Sequence, residues 1–508
     1  MGLAQGGGRD SGLREVFDAH WPGLLALFVF AVALWAQTGA MVGVFFDDGI
    51  YVTLAKSLAE GTGYRSIHLP DAPAAVHYPP LYPLALSVLW KLWPSFPENV
   101  TLFKLFDCAM LGAAAGIIAA HTRRMQLPRV AQCLVVTLGM TAFPVLTLVG
   151  VRFSEPFFLV LFAGAIAVAD RGQVTVGRGA AAGVLAGLAT LTRSIGVAAV
   201  VGIPLALWFR GRRAAAIASA VAAIAVALPW WLWLARHAEG IDPRLASNYG
   251  TYTQFASQAG LSGLLAGLDL RALGPFPRLL LPGLPTVVWA ALAALLAAAV
   301  VIGIVTVFPR VPTLGWVLLP YLGIVTLWPF TPDRFMWVLL PWVGLFGTAG
   351  ALRAWRWGRV PRLLTLLLGV SVVWGFGWFQ AISVVDRRFT VTADRSSRPF
   401  ALLASGIVTA VPEDAVIASD GEAMVYLYTG RKTVPAYLFR LEGRRMEPFG
   451  VDATASYFCE SGVTHLGTSW LGGDLLPLFE ALQERDSTLT PLFTVTEGPA
   501  LFRFRCPA

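Results

Sequence analysis

Two adjacent carboxylates, Asp47 and Asp48, close the first long apolar run, in the stretch MVGVFFDDGIYVTLAKSLAEGTGY from Met41 to Tyr64. Ionisable groups at a membrane boundary carry a desolvation cost and are functional candidates by default. The segment after them repeats Ile50, Leu54 and Leu58 on one face, with Tyr51 beside them, and Gly61 and Gly63 stop it. An aspartate before such a helix is a good N-cap. A cap accounts for Asp48; Asp47 is then either solvated or a base. VGVRFSEPFF offers Arg152 and Glu155. There Ser154 or Glu155 can cap and Pro156 suits the first turn, or Arg152 and Glu155 belong to a charged site. Arg193 in GLATLTRSIGV either snorkels or faces the interior as a phosphate ligand. Arg334 in DRFMWVLLPW lies where topology does not call for a cation. In VHYPPLYPLAL, the prolines 79, 80 and 83 make either a rigid loop or a pocket wall with His77 or Tyr78 donating hydrogen bonds. Arginine's planar fork of donors matches phosphate oxygens. Together these residues fit a base beside a cradle for an anionic lipid headgroup.

The elements that hold them are membrane helices. The chain has 508 residues, 56% hydrophobic and only 13% charged, against roughly 25% charged in soluble domains. Spans need roughly 20 apolar residues, and about eleven candidates fit: 22–45, 98–120, 130–150, 155–170, 179–192, 195–209, 214–235, 286–308, 313–330, 334–352 and 363–385. The first reads as a retained helix, because its apolar run is too long for a signal peptide and no cleavage site follows. With the N-terminus inside, one set of loops collects Arg123, Arg124, Arg129, Arg171, Arg178, Arg210, Arg212, Arg213, Arg310, Arg353, Arg356, Arg359 and Arg362. That is a positive-inside pattern. The net charge of +8 is therefore a topology signal and not a nucleic-acid one. Asp47, Asp48, Glu155, Arg193 and Arg334 all fall toward the outer side. Two outer loops, 46–97 and 236–285, are too long to be turns.

Residues 1–385 thus form the membrane domain, and 386–508 an outer α/β domain. VPEDAVIASDGEAMVYLYTGRKTVPAY reads as turn, strand, helix and a stop at Gly430. GVTHLGTSW and LFTVTEGPALFRFR add strands, the latter with a hairpin turn at Glu497–Gly498. Cys459 and Cys506 both fall in this domain beside strands, a placement that permits a disulfide. No phosphate-binding GxxxxGK[ST] loop, HExxH or Cys-x-x-Cys spacing occurs.

The motif series FFDDGIYVTLAKSLAEGTGY, HYPPLYPLAL, RFSEP, LTRSIG and RFMWVLLP resembles the GT-C glycosyltransferases, in the branch of protein O-mannosyltransferases and lipid A aminoarabinose transferases. The order of motifs is similar across about 1–385, and YLYTGRK is similar to the tails of bacterial members. The resemblance implies a bacterial inner-membrane, multi-pass enzyme with a cytoplasmic N-terminus and a periplasmic C-terminal domain. It implies inverting transfer of a hexosyl or pentosyl unit from a polyprenyl-phosphate-linked sugar to a glycan, lipid or protein acceptor. By position, Asp47 matches the family's catalytic aspartate, Tyr51 its tyrosine and Asp48 the second acidic place. Arg334 resembles an arginine that faces the lipid phosphate. Where aminoarabinose transferases carry Glu-Lys-Pro, this chain has His77-Tyr78-Pro79-Pro80, so lipid A is not carried over as acceptor.

The expected site therefore has Asp47 as base, with Asp48 and Glu155 as further acids on the reaction. Arg193 and Arg334 hold phosphate, and Tyr51, His77, Tyr78, Arg152, Tyr249 and Tyr252 bind substrate. The loop carrying NYGTYTQF (Asn248 to Phe255) closes over the sugar. No cofactor is required by this chemistry; some relatives bind a divalent ion, for which His68, His77 and Glu155 are the available ligands, and metal use stays open. A competing reading is a transporter or flippase for lipid-linked sugars. It would favour an inverted repeat, which the sequence lacks.

Overall fold

The computed structural model describes residues 7–252, 254, 270–328, 332–442, 445–472, 475–484, 488–496 and 498–506, with side chains from His20 onward save at 270, 271, 442 and 445. A bilayer offers backbone groups no partners, so apolar runs satisfy them internally as helices. In chain order these are α1 (Gly7–Trp35), the short α2 (Asp47–Ala59) and α3 (Leu81–Leu92), then α4 (Val100–Thr122), α5 (Arg129–Met140) and α6 (Phe143–Gly150). They continue with α7 (Glu155–Ala169), α8 (Val176–Thr192), α9 (Val197–Phe209), α10 (Arg213–His237), α11 (Thr286–Val307) and α12 (Pro312–Leu327). The short α13 (Asp333–Trp337), α14 (Leu340–Ala354) and α15 (Arg359–Val385) complete the bundle.

Every predicted span is helical over most of its length, and part of the expected eleven also meets the length of a full crossing. Among the described residues, four stretches are long and apolar enough to cross a membrane: 100–125, 213–240, 286–307 and 359–385. α5 and α6 add a fifth as a pair bent by 47°. By contrast α7, α8, α9, α12 and α14 run only 13 to 17 residues. Length and composition thus support up to five crossings. The bend at Thr141–Ala142 is built in: Pro144 opens α6, and the Gln380 amide donates to Thr141 O at 2.7 Å and accepts from Phe143 N at 2.9 Å. One side chain from α15 thereby satisfies the backbone that the break exposes.

One correction concerns α1, which ends at Trp35 and not near residue 45. Polar side chains capture the backbone there. Gln37 Nε2 donates to Ala33 O, Thr38 Oγ1 accepts from Ala40 N, and Lys104 Nζ donates to Thr38 O. The irregular stretch 36–46 then delivers Asp47. Its last residue, Phe46, has φ 67°, and Gly43 has φ 101°. Side chains rarely adopt such angles, and strain of this kind gathers at functional sites. A Cβ on Gly43 would also lie 2.5 Å from Met424 Cβ, so the turn must stay bare for the C-terminal domain to dock.

That domain opens with α16 (Arg388–Ala410), whose buried face is Phe389, Ala393, Ser397, Phe400, Leu403 and Ile407 at helical spacing. It continues as β1 (Val416–Ser419), α17 (Glu422–Thr429), β2 (Lys432–Pro435), the hairpin β3 (Phe439–Glu442) and β4 (Arg445–Pro448), and α18 (Val451–Glu460). β5 (Val463–Thr468), α19 (Leu476–Glu484), β6 (Leu489–Thr494) and β7 (Ala500–Phe504) finish it. The sheet order is β2-β1-β5-β7-β6, with β1 parallel to β2 and β5 and the last two strands antiparallel. Gly430 ends α17 at φ 76°, as its sequence position predicts. Of the expected Glu497–Gly498 turn, Glu497 lies outside the described residues.

The domain is docked onto the site's scaffold. Met41 N donates to Ser397 Oγ, Val42 N to the Tyr428 hydroxyl and Thr433 N to His68 O. Cys459 and Cys506 form a disulfide across a separation of 47 residues. Closing a loop of that size stabilises by about 2–4 kcal/mol, so Cys506→Ser is expected to lower the domain's melting temperature and open 451–506 to limited proteolysis.

Candidate active site

A cavity of about 530 Å³ opens where α2, the 77–79 loop, the α8–α9 junction, the end of α12 and α13 meet. Asp47, the first residue of α2, lies in its wall with Arg334 and Arg193. Both oxygens of Asp47 are engaged: Tyr78 donates to Oδ1 at 2.6 Å, and Arg334 Nη1 forms a short charge-assisted bond to Oδ2. Burial pushes the Asp47 carboxyl up, but the Arg334 charge and the Tyr78 hydrogen bond outweigh it and hold the group below the usual carboxylate range. Asp47 is thus ionised at neutral pH.

Beneath the cavity sits Glu155, 2% exposed. Its Oε1 accepts from Arg334 Nε at 2.8 Å and lies 3.0 Å from Arg193 Nη1. Arg193 Nη1 also donates to Ser154 Oγ at 3.0 Å, and that hydroxyl meets the Tyr51 hydroxyl at 3.1 Å. Both guanidiniums lie over rings, Arg334 on Phe153 and Arg193 on Phe335. Two arginines therefore face one cavity from a common carboxylate anchor. Arg193 is not a snorkelling residue.

Several expected residues are placed otherwise than the sequence reading had them. Asp48 is not the N-cap of α2; Phe46 occupies that position and no side chain caps it. Asp48 turns back and accepts from Gly43 N at 2.6 Å and Phe45 N at 3.1 Å. It pins the turn that aims Asp47 and does not line the cavity. Burial drives its carboxyl up to about 6, partly offset by those two N–H groups. Glu155 is buried, does not line the cavity and faces the two arginines. Arg152, 2% exposed with φ 57°, lies behind the site, and its charge faces Asp107 and Asp48. Ser154 keeps its hydroxyl for Arg193 and Tyr51 and makes no cap bond.

Of the loop aromatics, Tyr252 lines the cavity, with its ring 4.6 Å from His77 and 5.0 Å from Trp328. His77 also lines it and donates Nδ1–H to Gly250 O at 2.7 Å. Burial lowers its pKa and keeps it neutral. Phe255 lies outside the described residues. Tyr249 does not reach the cavity. It accepts from His68 and donates to Glu422 Oε1, both at 2.8 Å, and so ties the loop to α17. Burial pushes Glu422 up to about 7. A raised folded pKa means the folded state holds a proton the unfolded state has lost, so this contribution to stability falls as pH rises from the ordinary glutamate range toward 7. Glu422→Gln is expected to flatten the pH dependence of the melting temperature across that window. His68, His77 and Glu155 are each committed to other partners. Among the described residues no three His, Cys, Asp or Glu side chains gather as a metal cluster.

The sequence reading missed Trp328, Phe335 and Phe439 in the cavity wall. Phe439 comes from the β3–β4 hairpin, more than 350 residues from Asp47, and no local pattern marks it. The wall mixes apolar residues, Ile195, Val197, Ile324 and Phe335, with polar ones, His77, Ser247, Asn248 and Tyr252.

The chain has the GT-C fold. It is similar to the solved structure of ArnT, the aminoarabinose transferase from Cupriavidus metallidurans, at 13% identity over 96% of this chain and 98% of that one, with a TM-score of 0.57. It is also similar to the archaeal oligosaccharyltransferase AglB from Archaeoglobus fulgidus, solved with an inhibitory peptide and a dolichol-phosphate, at 11% identity over 96% of this chain and 74% of that one, with a TM-score of 0.52. Neither a protein-family model nor a curated protein sequence matches the chain.

Proposed function

We propose that this GT-C-fold membrane protein is an inverting glycosyltransferase that moves a sugar from a polyprenyl-phosphate donor to an acceptor on the extracytoplasmic face. The observation that carries the reading is one ionised carboxylate and two guanidiniums in the wall of a single cavity. The apolar lining residues, Ile195, Val197, Ile324 and Phe335, suit a lipid chain, and His77, Ser247, Asn248 and Tyr252 offer polar contacts to the sugar and the acceptor. The solved dolichol-phosphate complex of AglB supports a lipid phosphate in this fold. The arginine-rich loops support the outer placement of the site.

The chemistry is one displacement. An acceptor hydroxyl oxygen attacks the anomeric carbon and its proton passes to Asp47. The bond from that carbon to the phosphate oxygen breaks, and its electron pair leaves with the polyprenyl phosphate. The leaving group is already a stable anion, so no general acid is needed. Arg334 and Arg193 meet the second negative charge that develops on it, in a low-dielectric site where such contacts are strong. Asp47 is the one carboxylate among the described residues of the cavity wall, which suits a single displacement with inversion.

The test uses purified protein in detergent with radiolabelled polyprenyl-phosphate sugar and a cell-envelope fraction as acceptor. Transfer of label out of the lipid phase is expected. If label stays on the lipid with every acceptor, yet crosses the bilayer of proteoliposomes, the chain is a transporter of lipid-linked sugars instead.

A further inference from the structure

We propose that Arg334 is a donor-operated switch on Asp47: it keeps the carboxylate occupied until a lipid-linked phosphate draws the guanidinium away. This rests on the glycosyltransferase reading above. Three observations carry it. First, Asp47 is engaged on both oxygens, Oδ1 by Tyr78 and Oδ2 by the Arg334 guanidinium. Each oxygen keeps a lone pair, but the ion pair lowers its proton affinity, so Asp47 is a weak base until the Arg334 contact gives. Second, Arg334 is held at its stem. Nε stays on Glu155, which is buried and also carries Arg193, while the face of the guanidinium rests on Phe153. Rotation about that fixed end carries Nη1 away from Asp47 without losing Glu155. Third, Nη2 is buried and has no partner among the described residues, so a rotation that brings it to the cavity breaks no bond of its own.

Charge sets the direction. Asp47 and Glu155 balance Arg193 and Arg334, so the cluster is neutral. A phosphodiester brings one negative charge, and the leaving phosphate gains a second as the sugar bond breaks. Each step pulls Arg334 further toward phosphate. Asp47 is left with Tyr78 and a desolvating wall, which raises its proton affinity. The base therefore strengthens as the leaving group departs. Glu155 is the positioning residue that makes the exchange possible.

The experiment is a structure of the wild-type protein in nanodiscs with a C55 polyprenyl phosphate, together with binding of the same lipid to wild type and Asp47→Asn across pH. Expected are Nη1 on the phosphate and off Asp47, with Nε still on Glu155. Asp47→Asn should bind the lipid about tenfold tighter at neutral pH, because a competitor for the guanidinium is gone. Wild-type affinity should converge on the variant's as pH falls and Asp47 protonates. Phosphate bound with the Arg334–Asp47 contact intact, or equal affinities at neutral pH, overturns the switch and leaves the transferase reading standing. No binding of polyprenyl phosphate in the cavity overturns both.

Discussion

Asp47→Asn is expected to lower sugar transfer by about 10²–10⁴-fold, the usual worth of a positioned base, with melting temperature and elution profile unchanged. The amide keeps the shape of the carboxylate and can still accept from the Tyr78 hydroxyl, so the α2 start keeps its place. What it loses is the capacity to take the acceptor's proton. Polyprenyl-phosphate binding must survive the change, which separates lost chemistry from lost substrate. Asp48→Asn is the matched control. Asp48 accepts two backbone N–H groups in the Gly43–Phe45 turn, and an amide has only one oxygen to give them. Its loss should therefore appear first as lower thermal stability, with transfer falling in step. A fully active Asp47→Asn protein would end the assignment of the base; a stable but inactive Asp48→Asn protein would move the chemistry one residue along.

The contrast between these neighbours shows how much of the site is legible in the sequence. Two acids at a membrane boundary are conspicuous because their cost there is high, and helical spacing after them places α2. Which acid faces the cavity is not legible. It depends on Phe46 and Gly43 adopting positive φ, with Met424 from the C-terminal region packed where a Cβ on Gly43 would lie. The same holds for Glu155. Its type and depth mark it as functional, but only tertiary structure reveals that Arg193 and Arg334 converge on one of its oxygens. Arg334 itself was readable, as a cation on the side that topology leaves poor in them. Tyr249 and Tyr252 looked alike in NYGTYTQF. The two residues between them, Gly250 and Thr251, turn one toward Glu422 and the other toward the cavity. Span lengths are less legible, because hydropathy marks where chain is buried in lipid or protein alike: α7 is short and largely buried, while α9 is equally short and exposes Val201, Leu205, Trp208 and Phe209.

Arg334→Gln is expected to cost about 10²–10³-fold in kcat/KM for the lipid-linked donor, the range found when one preorganised donor to developing charge is removed. The fold should tolerate the change, because Glu155 keeps Arg193 at 3.0 Å and is not left as an unpaired buried charge. The pH profile gives a second, independent readout. Arg334 is the foremost influence holding the Asp47 carboxyl down against burial. Without it, burial prevails and the carboxyl titrates at higher pH. A general base works only when ionised, so the acid limb of kcat/KM, which reports the free enzyme, must move upward in Arg334→Gln. In the wild type that limb lies below the ordinary carboxylate range. Arg334→Lys keeps the charge and loses the fork; it should hold the acid limb near its wild-type place while recovering only part of the rate. Arg193→Gln makes the sharper comparison, since Arg193 touches Glu155 and Ser154 but not Asp47. It should weaken donor turnover and shift the acid limb far less than Arg334→Gln. If both variants moved the limb equally, the field of the arginine pair, and not the direct Arg334–Asp47 contact, would set the strength of the base.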